Sequence, residues 1–278
     1  MHQRKKDSQM LIDRLLPKSW IRKLKKLKSL VNSFPRFFRL HMSGINLTSF
    51  KDMERKSQFL KLYPGRMSEK DLLQYLVYSQ SEIDQELIAF LLVGPTGYFV
   101  EFGACDGIFA SNTYFLEKTQ GWRGILSEPV PNYYKEIKNH RTAKSYPFAV
   151  TAQNQGRVEF IEANQPGLST IKGYEKSDRH HPLRADGIRY EVDTTTLRDL
   201  LYLADSPKQI DYLSMDTEGS ELDILSTFPF DEFTFRFISI EHNHSENRER
   251  IRNLMHSKGY REILSEFSGG DWWFIPIS

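Results

Sequence analysis

Apolar residues in this chain occur in two patterns, short unbroken runs and spacings of three and four. From about residue 98 onward the two alternate. The run Tyr98-Phe99-Val100, with Phe102, has the form of a central parallel strand covered on both faces. Ser111 and Asn112 then stand as caps for a helix to about Lys118. Gly124 to Glu128 reads as a second strand, Pro129 and Pro131 open a helix to about Asn139, and Ser145 to Val150 reads as a third strand. Thr196 caps a helix to about Leu203, Gln209 to Met215 makes a fourth strand, and Phe235 to Ile240 a fifth. Ser245 caps a helix that Gly259 stops, and Tyr260 to Phe267 with Trp272 to Ile277 form an antiparallel hairpin around Ser268 to Asp271. The pattern predicts an α/β fold: a doubly wound, mostly parallel sheet of seven strands with a C-terminal antiparallel hairpin.

Upstream the period is helical. Trp20, Leu24, Leu27, Val31 and Phe34 fall on one face, with Arg22, Lys23, Lys25, Lys26 and Lys28 between them. Residues 1–40 carry 12 Lys and Arg against 2 Asp, so the net charge of +2 hides a strongly basic end and an acidic remainder. Residues 1–45 are expected to form a basic amphipathic segment. Its stretch 18–40 either lies on an anionic membrane surface or docks on protein with its basic face in water. The aromatic residues sit on the apolar side and are not spaced as a stacking platform, so nucleic acid is not expected as a partner. Residues 46–96 read as a helical cap, with Ser68 and Asp71 starting one helix and Ser81 to Leu92 forming another before the stop at Gly94-Pro95. The N-terminal helices precede a domain over 97–278. One cysteine, Cys105, excludes an intrachain disulfide framework. No apolar run reaches the roughly 20 residues of a membrane span. A cytoplasmic protein is expected, in one reading at the inner face of a membrane.

Candidate chemistry gathers at the predicted strand ends, where open α/β sheets bind ligands. Glu101 closes the first strand, and Gly103 and Gly107 let the backbone approach a ligand. The dinucleotide pattern G-x-G-x-x-G fails, since Cys105 and Ile108 stand where glycines are needed, which disfavours an NAD-dependent oxidoreductase. What remains is E-x-G-x-x-x-G. Glu128 lies 21 residues past Gly107, where such folds hold ribose hydroxyls. The fourth strand ends in Asp216-Thr217-Glu218-Gly219, part of whose acidity suits the start of the next helix, and the fifth in Glu241-His242-Asn243. Between Arg157 and Asp193 two strand-like pieces flank a polar loop holding Ser169, Thr170, Lys172, Tyr174, Arg179, His180 and His181, which is assigned to acceptor recognition. The adjacent histidines lack a third partner at ligand spacing and are assigned no metal.

The segments YFVEFGACDG, SNTYFLEK, GWRGILSEP, IDYLSMDTEGSELDIL and FISIEHN together resemble the FkbM family of S-adenosylmethionine (SAM)-dependent methyltransferases, from roughly Tyr78 to the carboxyl terminus. D-x-E-G-x-E carries the resemblance more specifically than the glycine turn does. The resemblance implies a Rossmann-like class I methyltransferase fold and SAM as cofactor. Glu101, Gly103 and Gly107 would contact its methionine end, Glu128 its ribose, and Asp216 would lie beside the methyl group. Ala104, Asn112 and Pro129 complete the expected cofactor-binding set. Cys105 departs from the family, which usually has Asn or His there. The implied activity is O-methylation of a sugar hydroxyl of a glycan or glycolipid. His242 is the first candidate for general base, with Asp216 and Glu241 beside it, because its unperturbed pKa lies near working pH. A second reading puts Mg²⁺ on Asp216, Glu218 and His242. A methyltransferase-like scaffold without catalysis is the alternative, opposed by the presence of Glu101, Glu128, Asp216 and His242.

Overall fold

The computed structural model describes residues 50–277, and the basic helix read over 18–40 lies outside the described residues. The chain divides into two compact units between Ser79 and Gln80. In the first, α1 spans Phe50–Leu62 and α2 spans Glu69–Tyr78. The start of α2 is a capping box: Ser68 Oγ accepts from the Asp71 amide at 3.1 Å, and Asp71 accepts from the Ser68 amide at 3.3 Å.

The second unit begins with α3 (Gln85–Val93), ended by Gly94. Its residues from Gln85 to Leu91 are all buried, so no amphipathic stripe is needed, and it packs on the sheet. Along the chain follow β1 (Tyr98–Phe102), α4 (Tyr114–Gln120), β2 (Arg123–Ser127), α5 (Pro131–His140), β3 (Lys144–Tyr146), β4 (Ala149–Thr151), β5 (Arg157–Glu162) and β6 (Thr170–Ile171). A short 3₁₀ turn at His181–Arg184 leads to β7 (Ile188–Thr196). Then come α6 (Leu197–Leu203), β8 (Gln209–Met215), α7 (Glu221–Thr227), β9 (Thr234–Glu241), α8 (Arg248–Ser257), β10 (Tyr260–Glu262) and β11 (Asp271–Pro276).

The principal sheet has seven strands in the order β10-β11-β9-β8-β1-β2-β3. Strands β9, β8, β1, β2 and β3 are parallel, and β11 runs antiparallel between β9 and β10. The expected doubly wound sheet with its closing hairpin is present. Val100, Leu213, Ile238 and Phe274 share one buried apolar cluster, which explains why these strands read as unbroken apolar runs. The chain adds strands to one side of β1 and then to the other, and this reversal of strand order between β1 and β8 leaves a crevice at their carboxyl ends, between Phe102-Gly103 and Met215-Asp216.

Three expectations are corrected. Ser145 to Val150 is not one strand: β3 stops at Tyr146 and the chain leaves the sheet at Pro147, whose missing N–H cannot extend a ladder. Beyond it β4 joins a second sheet of four strands in the order β4-β7-β5-β6, built from what the sequence showed as two strand-like pieces and a loop. The hairpin pairs only Tyr260–Glu262 with Asp271–Pro276, so most of the predicted first strand is turn. Ser111 and Asn112 do not cap a helix. α4 starts after Thr113, and both residues bind Glu101 instead.

Candidate active site

Two cavities meet at the carboxyl end of the sheet. The inner one is lined by Gly103 and Cys105 of the glycine turn, Glu128 and Pro129 after β2, Tyr133, Phe160 of the second sheet and Asp216 after β8. The outer one lies beside it, lined by Phe109, Leu183, Arg179, Glu241 and Asp271. Both are walled by Gly167, Asp216 and Glu218, so these three residues stand at the junction.

The glycine turn is held from below. Gly103 has φ +74°, and a Cβ there would lie 2.1 Å from the Asp216 carbonyl oxygen, so the turn can pass over the tip of β8 only as glycine. Glu101 is buried and lines neither cavity. Its carboxylate accepts from Ser111 Oγ at 3.1 Å, the Asn112 amide at 2.6 Å and Thr113 Oγ1 at 2.5 Å. Arg141, buried at the end of α5, donates to the Gly107 carbonyl, Ser111 Oγ, Thr113 Oγ1 and Glu117, with Glu101 3.8 Å away. Through this network Glu101 fixes the loop that follows the turn. Ala104 and Gly107 likewise line neither cavity. The Ala104 carbonyl accepts from the Gly107 amide, and Gly107 packs against Arg141 and Ile137. Asn112 lines the outer cavity and donates to Ser214 Oγ at 3.0 Å.

Glu128 faces the inner cavity as expected. Its oxygens accept from the Cys105 amide at 3.0 Å and the Val130 amide at 2.9 Å, one bond each, leaving acceptor capacity on both for hydroxyl donors. Burial pushes its carboxyl up to about 8, against the pull of the two amides. At Cys105, burial pushes the thiol far up, so it serves as a small packed residue.

Asp216, Glu218 and Glu241 offer carboxylate oxygens within 4.8 Å of one another. Three acids this close repel one another when charged, which favours holding a proton among them. Burial pushes Asp216 up to about 7, while burial and Asp216 drive Glu241 well above the usual carboxylate range. Asp216 Oδ1 is a buried atom with no hydrogen-bond partner among the described residues. Glu218 sits at φ +59° and is clamped by the polar loop: Arg184 donates to it at 2.5 Å, and its carbonyl accepts from Thr170 Oγ1 at 3.0 Å and Ser177 Oγ at 3.1 Å. Burial and Asp216 push the Glu218 carboxyl up to about 10, and Arg184 also grips Asp178 with its two terminal nitrogens at 2.9 and 3.1 Å.

His242 lines neither cavity and is no member of the acid cluster. Its Nδ1 accepts from the His244 amide at 3.0 Å, and its ring packs on Trp272 with centroids 5.3 Å apart. Burial and neighbouring Arg248 hold its pKa down at about 4, so the ring is neutral and structural. The metal set of Asp216, Glu218 and His242 is therefore not assembled. The acids that do meet are Asp216, Glu218 and Glu241, with Arg184 as the cation on Glu218 and on Asp178. Neither Arg141 nor Arg184 was found from the sequence, because nothing local marks a lone arginine as buried.

The strand order, the glycine turn over β8 and the carboxylate after β2 define a Rossmann-like α/β protein of the methyltransferase class. The methyltransferase FkbM domain matches residues 101–262, and the chain belongs to this family. Similar solved structures include a fibrillarin/Nop5p complex, at 8% identity and a TM-score of 0.37, covering 71% of this chain and 80% of that one. Another is a SAM dependent methyltransferase from Aquifex aeolicus, at 11% identity and a TM-score of 0.34, covering 80% and 98%. No curated protein matches the chain.

Proposed function

We propose that this methyltransferase uses SAM and methylates a hydroxyl, in a sugar of a glycan or glycolipid. The observation that carries the reading is the position of Asp216: it walls both cavities and stands with Glu241 and Glu218, their carboxylate oxygens within 4.8 Å of one another. The inner cavity suits the adenosine end of the cofactor, with Glu128 accepting from the two ribose hydroxyls and Phe160 and Tyr133 flanking the base. When bound there, SAM supplies an electrophilic methyl group on sulfur. The chain's own task is to hold an acceptor oxygen in line and take its proton. With its carboxyl raised to about 7, Asp216 would take the acceptor's hydroxyl proton near neutral pH, with Glu241 beside it. Phe109, half exposed at the outer cavity, offers an aromatic face for the C–H side of a sugar ring.

The test is incubation with methyl-labelled SAM and a panel of sugars, sugar nucleotides and glycolipids, read by mass spectrometry. Label on a hydroxyl oxygen supports the reading, and label on nitrogen alone overturns it. A Mg²⁺ reading is separated in the same assay: transfer that survives exhaustive chelation assigns the proton to the carboxyl pair, and transfer that chelation abolishes assigns it to a metal-bound site. No helix among the described residues is long and apolar enough to cross a membrane. Residues 18–40, in this reading, bring the enzyme to an anionic surface that carries a lipid-linked acceptor.

A further inference from the structure

Residues 157–196, the second sheet and its loop, contain six Lys and Arg. Four are paired: Arg157 with Glu191 and Asp193, Lys172 with Glu159, Arg184 with Asp178 and Glu218, and Arg189 with Glu159 and Glu175. The two left without a carboxylate partner among the described residues, Lys176 and Arg179, line one groove, which runs between the loop and residues 243–247. Arg179 lines the outer cavity as well, with its Nε bonded to His180 Nε2 at 3.2 Å, so groove and cavity are continuous at its side chain. Asp178 stands between the two in sequence but is spent on Arg184. Glu246 is the other carboxylate of the groove, one acid against two exposed cations.

The charge therefore changes sign along a single path. At the inner end stand Asp216 and Glu241 with their carboxylates close together, and at the outer end two exposed cations. A ligand anionic throughout is repelled at the inner end, and a neutral one leaves the cations unused. We infer that the acceptor is a phosphorylated sugar or glycan, its hydroxyl at Asp216 and its phosphate over Arg179 and Lys176. This rests on the reading of the outer cavity as the acceptor site. An arginine fork and a mobile ammonium suit a phosphate carrying up to two charges better than a single carboxylate.

The inference is tested by calorimetric titration of the full chain, with S-adenosylhomocysteine in place, using inorganic pyrophosphate, UDP and glucuronate in turn. The same titrations follow on Arg179→Gln and Lys176→Gln. The expected result is binding of pyrophosphate and UDP that each variant weakens about tenfold, with glucuronate much weaker and S-adenosylhomocysteine affinity unchanged. UDP above pyrophosphate assigns a nucleotide-linked acceptor, and equal binding assigns a simple phosphate ester. Pyrophosphate binding that neither variant alters places the anion elsewhere, for example on the basic residues 1–40, and overturns the inference, as does glucuronate binding equal to that of pyrophosphate. Failure of S-adenosylhomocysteine to bind would instead count against the methyltransferase reading, leaving the anion result to stand by itself.

Discussion

Glu128 carries a proton that the unfolded chain does not hold. Its folded pKa is raised to about 8, so between the ordinary carboxylate value and pH 8 the folded state binds an extra proton. Its contribution to stability is thus full at low pH and fades as pH rises through about 8. Ribose hydroxyls donate to the charged form, so SAM binding should release protons below pH 8, seen as binding heats that depend on the buffer's ionisation enthalpy. Glu128→Gln should melt higher at pH 8 yet bind SAM roughly tenfold to a hundredfold more weakly by calorimetry. At the other carboxyl site, Asp216→Asn or Glu241→Gln should cut transfer by about a hundredfold or more. His242→Gln should leave the rate, and its rise through about pH 7, in place while lowering the melting temperature. A rate profile that moved with His242 would restore the histidine as base. Glu128 and Asp216 were legible because each closes an apolar run. His242 was not, since one step past Glu241 turns the side chain from the crevice to Trp272.

At the scale of elements, the glycine turn is a joint between β1, α5 and the tip of β8. Gly103→Ala places a methyl against the Asp216 carbonyl at a left-handed φ and should cost more than about 2 kcal/mol in denaturant unfolding, with cofactor affinity falling in parallel. Arg141→Met leaves Glu117 and Glu101 without their cation and should destabilise by about 3–5 kcal/mol. If either variant unfolded like the parent, the turn would not be tied as described. The central strands could be read from sequence because both faces are covered and their runs are apolar. The break at Pro147 could not, because Phe148-Ala149-Val150 is as apolar as the strand before it and only pairing partners reveal the change of sheet.

On the scale of the whole molecule, the charge is divided between a basic end and an acidic body. We propose that residues 18–40 dock on anionic lipid, where each basic residue contributes about 1 kcal/mol at low salt. The full chain should sediment with phosphatidylglycerol vesicles, remain free of phosphatidylcholine vesicles, and be released by raising salt. Sedimentation that salt does not affect, or that survives Lys25→Glu with Lys26→Glu and Lys28→Glu, would refute the electrostatic account. The seven-stranded sheet was legible at this scale from alternation alone. The four-stranded one was not, since its pairing is nonlocal and two of its strands are only two or three residues long.

The polar loop is fastened to the sheet by the Glu218 side chain, held by Arg184, and by its backbone oxygen, which Thr170 and Ser177 both reach. The loop's outward residues, Lys176 and Arg179 among them, take no part in that joint. In the proposed reading, the segment that chooses the substrate can be rewritten while the segment that moves the methyl group stays as it is. Retargeting such an enzyme becomes a matter of exchanging the outward positions of one loop and leaving its three anchoring residues untouched.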